Sequence, residues 1–86
     1  MADIGLHPSV EKKMYDYLKA EYPEISRFTY EITESKNYFI LSGHIKEEFS
    51  EEKIKDCSKN IAKIIDGTYK ESKKTQTLLS LTFILN

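Results

Sequence analysis

The spacing of apolar positions changes repeatedly along this chain, and each change predicts a different element. Val10, Met14, Tyr17, Leu18 and Tyr22 recur at intervals of three and four, which gathers them on one face of a helix. Pro8 and Ser9 precede this stripe, and proline suits a first helical turn because its missing N–H would have no partner there. The helix should end near Glu21, since Pro23 disfavours helical geometry in the residue before it. Between Arg27 and Thr33 the period becomes two: Phe28, Tyr30 and Ile32 alternate with Thr29, Glu31 and Thr33, the pattern of a half-buried strand. Glu34-Ser35-Lys36-Asn37 reads as a hairpin connection, and a second strand runs from Tyr38 to about Ile45.

A second helix has a well-marked start. Ser50 is its expected N-cap, Glu51 and Glu52 place negative charge at the positive end of the helix dipole, and Phe49 with Ile54 fits a hydrophobic staple. Its apolar stripe is Ile54, Cys57, Ile61, Ile64 and Ile65, and Gly67 is expected to be the left-handed residue that ends it. Thr68 to Gln76 is polar and reads as a connection, either loop or the splayed start of a long strand. The last strand spans Thr77 to Leu85, with Leu79, Leu81, Phe83 and Leu85 on one face and Leu78 and Ile84 on the other. A two-sided apolar strand in so small a chain implies a central position in the sheet or burial against a second subunit.

These elements predict one α+β domain over residues 1–86, in the order helix, strand, strand, helix, strand (αββαβ). A right-handed crossover through the second helix would give a three-stranded mixed sheet with two helices packed on one face.

Composition narrows the functional classes. At 86 residues, 40% of them apolar and 31% charged, the chain is globular in character and has room for one core. A domain of this size is expected to be stable by only about 5 kcal/mol, so self-association would be a useful supplement. Thirteen basic against fourteen acidic side chains leave a net charge of −1, without the overall basic excess of a nucleic-acid binder. Any such role would require a local patch. The single cysteine, Cys57, excludes an intramolecular disulfide and fits a reducing compartment. Residues 1–8 lack the basic and apolar segments of a secretory signal, and the apolar stretch Leu78 to Leu85 is far shorter than the roughly 20 residues of a membrane helix. A cytoplasmic location is therefore expected, although a signal peptide already removed would leave no trace.

The segment Tyr38-Phe39-Ile40-Leu41-Ser42-Gly43-His44-Ile45, with its Leu41-Ser42-Gly43 step, resembles the BON domain family. Ser50-Glu51-Glu52 at the helix start, Ile61-Ala62-Lys63-Ile64-Ile65 and the closing Asp66-Gly67 extend the likeness over roughly Phe28 to Phe83. The chain departs from that family in continuing Gly67 with Thr68 and in carrying a longer basic linker. The resemblance implies a module that acts at membrane surfaces or in protein contacts; the same element order is similar to ring-building domains of secretion machines.

Candidate chemistry is sparse. Lys55, Lys59 and Lys63 follow one another at four-residue steps, and Lys70, Lys73 and Lys74 come soon after, a stripe able to meet phosphates of nucleic acid or phospholipid. The plainer reading is a solvated helix face with pairs such as Glu51 and Lys55. His7 and His44 lack metal-ligand spacing with Cys57, and Cys57 falls on an apolar stripe, where a thiol usually packs rather than reacts. Glu47, Glu48, Glu51 and Glu52 show no calcium-loop pattern and suit the helix dipole instead.

No catalytic residue, cofactor, metal or small-molecule substrate is expected from these patterns. They favour a non-enzymatic protein-interaction module, a homodimer or a part of a larger assembly, with Leu78, Ile84 and Leu85 as candidate interface. The alternative is an anionic partner, phospholipid surface or nucleic acid, held by the six lysines.

Overall fold

The computed structural model describes residues 6–33, 37–46 and 48–85. Its elements are α1 (Pro8–Glu21), β1 (Ser26–Ile32), β2 (Tyr38–His44), α2 (Glu51–Ile65), β3 (Gly67–Lys74) and β4 (Leu78–Leu85). They form an α+β domain with one four-stranded sheet in the order β1-β2-β4-β3, every neighbouring pair antiparallel.

Two expectations are corrected here. The sheet has four strands rather than three, and it is antiparallel rather than mixed. The chain leaves α2 into β3 at the far edge, and β4 then returns between β3 and β2, so no parallel pair forms. The polar segment after Gly67 is thus a strand, although its burial does not alternate. An edge strand needs only its backbone bonds to β4, and lysines together with a bulge between Tyr69 and Glu71 discourage further pairing on its outer side. The last predicted strand is β4, and the sheet gives it the central position that was one of the two explanations for its apolar faces.

Local chemistry explains the helix limits. His7 caps α1, its Nδ1 accepting from the Ser9 amide at 3.2 Å, and Pro8 occupies the first turn. Ser50 caps α2, its Oγ accepting from the Lys53 amide at 3.2 Å, while Phe49 and Ile54 are both buried as a staple requires. The left-handed residue that ends α2 is Asp66 (φ 56°, ψ 51°), not Gly67. Aspartate tolerates that conformation through its short polar side chain. Gly67 instead permits close packing, since a Cβ there would lie 3.0 Å from the Ile84 carbonyl oxygen.

Alternation sorts the strands into two faces. Phe39, Leu41, Leu79, Leu81 and Phe83 point toward the helices and are buried together with Met14 and Leu18 of α1 and Ile54, Cys57, Ile61 and Ile65 of α2. Both helices therefore cover the same side of the sheet. One aromatic contact ties the layers, Tyr15 of α1 lying 5.1 Å from Phe28 of β1, while within the sheet Tyr30 stacks on Phe39 at 5.1 Å and Phe39 meets Phe83 at 5.9 Å between ring centroids. Gly43 leaves room for the β1 corner, because a Cβ on it would come within 2.5 Å of the Ile25 Cγ2 methyl and 3.3 Å of the Phe28 Cβ. Arg27, at φ 51°, sits in the bulge between Ser26 and Thr29 that turns Phe28 inward. Residues 34–36 of the expected hairpin and Glu47 of the acidic cluster lie outside the described residues.

Candidate functional site

Among the described residues, the other face of the sheet carries no helix. Side chains there alternate with the core positions, so the register of the strands fixes which of them are neighbours. In one row Tyr38 pairs with Ile84 and Ile84 with Thr68. The next row runs Glu31, Ile40, Thr82, Glu71, and the one after it Thr29, Ser42, Ser80, Lys73. At the far end His44 pairs with Leu78. Leu78 and Ile84 are 47% and 38% exposed, against 0% for Phe83 on the helix side of the same strand. Lys70, the bulged residue of β3, reaches across to Tyr38 with its Nζ 5.8 Å from the ring centroid, a cation–π distance.

The sequence-derived candidates divide between the two faces. Leu78 and Ile84 both lie on the open face, but Leu85 does not join them. It pairs with Gly67 on the helix side and packs half-buried against the core, so the alternation of β4 removes it from the candidate interface. The lysines separate in the same way. Lys55, Lys59 and Lys63 are exposed along α2, which covers one side of the sheet, whereas Lys73 aligns with Ser80 and Lys70 reaches Tyr38 on the other side. Lys74 aligns with Leu79 on the helix side. The six therefore do not make one continuous surface, although the three on α2 remain a stripe.

Cys57 is fully buried, and burial followed by the nearby Asp56 charge pushes its thiol up to about 12. At neutral pH it is a protonated packing group rather than a nucleophile. His44 pairs with Leu78 across the sheet from Cys57, so it does not serve that thiol as a base. Among the described residues no three His, Cys, Asp or Glu side chains converge into a metal-binding group, and no helix is long and apolar enough to cross a membrane.

One polar feature was missed from the sequence. The Tyr22 hydroxyl donates a short hydrogen bond to Asp56 Oδ2, and Asn60 Nδ2 donates to the Tyr17 hydroxyl at 3.0 Å. Together they clasp α1 to α2. Burial first, and the Asp56 carboxylate next, hold the Tyr22 phenol well above its ordinary pKa. A second clasp links Lys53 to Glu24, and the lysine holds the exposed Glu24 carboxyl below its usual range. The signal for the first was available as Asp56 and Asn60 one turn apart, but polar pairs at that spacing are ordinary on any exposed helix.

The fold and this face together define a small α+β domain with an open-faced antiparallel sheet. Comparison with family models, with characterised proteins and with solved structures returned no match. The BON-like resemblance accordingly rests on its own residues.

Proposed function

We propose that this chain is a non-enzymatic protein-interaction module that docks through the open face of its sheet, as a homodimer or as one part of a larger assembly. The observation that carries this reading is the exposure of Leu78 and Ile84, with Tyr38 and Ile40 near Ile84, on a face that neither helix covers. Antiparallel sheets often turn one mainly polar face to water, and on this one the exposed Leu78 and Ile84 are the exceptions. Apolar surface left in water forgoes about 25 cal/mol for each Å² that a partner would cover. The short hydroxyl residues between the apolar ends, Ser42, Ser80 and Thr82, leave the centre of this face without bulky obstruction to an opposing surface. The BON-like features of the sequence point the same way, toward a contact module.

Light scattering from micromolar to millimolar protein tests the reading. The average mass should climb toward a dimer for the natural sequence, and Leu78→Glu or Ile84→Glu should hold it at the monomer with unchanged circular dichroism. A mass that stays monomeric for the natural sequence throughout removes self-association from the proposal.

A further inference from the structure

We infer that the partner on the open face is a second copy of this chain, stacked sheet on sheet about a two-fold axis that lies between the sheets and runs across the strands; this rests on the proposed function above. Charge complementarity selects this arrangement. On β3 the open face carries Glu71 in the row of Thr82 and Lys73 in the adjacent row of Ser80. An axis between these two rows brings Glu71 of one copy over Lys73 of the other, and the symmetry repeats the pair.

The same operation exchanges the ends of the face. Ile84 meets Leu78 of the second copy, so the two most exposed apolar side chains of the face cover each other. Tyr38 meets His44, and the hydroxyl groups of Thr82 and Ser80 fall together at the centre. The alternative axis, along the strands, keeps each row over itself and sets β1 against β3. That arrangement places Glu31 over Glu71, two like charges, and leaves Lys73 opposite Thr29. Aligned sheets cross at about 30°, which displaces edge residues by about one position, and the long Glu and Lys side chains span that offset. Strand spacing and rise give the face a flat footprint of about 450 Å² per copy, at the low end of specific interfaces, so the dimer is weak and concentration-dependent.

Two experiments test this geometry. Chains carrying Leu78→Cys are mixed with chains carrying Ile84→Cys and treated with a short bis-maleimide; the buried Cys57 stays unlabelled. The mixture should cross-link, whereas either variant alone should not, because like positions sit about 20 Å apart in this stack. Efficient cross-linking of Leu78→Cys with itself would overturn the inference. Association in light scattering without cross-linking of the mixture would also overturn it, while leaving the proposed function standing. A natural sequence that never associates would overturn this inference and remove self-association from the proposed function. Separately, Glu71→Lys and Lys73→Glu should each weaken dimerisation about tenfold, and the double exchange should restore it. A double variant no better than the singles refutes the Glu71–Lys73 pairing.

Discussion

The two faces of one sheet are built from alternate residues of the same strands, and they obey different rules. On the helix side, Phe39, Leu41, Leu79, Leu81 and Phe83 are buried and closely packed, so their shape determines stability. On the open side, Tyr38 and Ile84 pair at one end with Ile40 in the next row, Leu78 lies at the other end, and serine and threonine stand between. In β4 one step along the backbone, from Phe83 to Ile84, moves from a position that maintains the fold to one free to meet a partner. The contrast shows that apolar character alone does not assign a residue to the core.

The widest gap between the faces should appear on truncating those two neighbours. Phe83→Ala is expected to cost about 3 to 5 kcal/mol, comparable with the whole stability expected of the domain, so that the variant is largely unfolded by urea titration or circular dichroism. Ile84→Ala should cost less than about 1 kcal/mol in the monomer. Equal losses at the two positions would contradict the division into a packed and an open face. Gly43→Ala comes next: the added methyl meets Ile25 and Phe28, and a loss of about 1 to 3 kcal/mol is expected from the urea midpoint.

Alkaline pH should also act through the helix side. The unfolded chain releases the Cys57 proton near 9.0 and the Tyr22 proton near 10.0, while the folded chain keeps both to higher pH. Folding therefore retains protons that unfolding gives up, and stability falls as pH rises above about 9 toward 12. Urea midpoints across that window should decline. Tyr22→Phe should flatten the decline and cost about 1 kcal/mol at neutral pH through the lost bond to Asp56. A midpoint unchanged up to pH 11 in the natural sequence would contradict the buried setting of these groups.

Much of the fold was legible because it follows from local pattern. The stripes of α1 and α2, the Ser50 cap, the Phe49–Ile54 staple and the alternation of β1, β2 and β4 are each written in a few consecutive residues. β3 was not legible, because an edge strand such as Gly67–Lys74 buries little and shows no period. The left-handed Asp66 was misassigned to Gly67, since glycine is the usual residue there and only packing against Ile84 shows its actual use. The candidate site was half legible: β4 announced two apolar faces and alternation already set Leu85 apart from Leu78 and Ile84, but only the sheet shows that the helices cover the Leu85 side.

By itself the sequence determined the helices, three of the strands, the single small core and the apolar character of both faces of β4. Periodicity and capping act over a few residues, so the chain carries them without reference to its fold. Tertiary structure alone decided the insertion of β4 between β2 and β3, the separation of the lysines onto opposite sides, and the adjacency of Glu71 and Lys73 to the open face. Those depend on pairing between distant segments, and register, rather than spacing along the chain, sets which side chains share a surface.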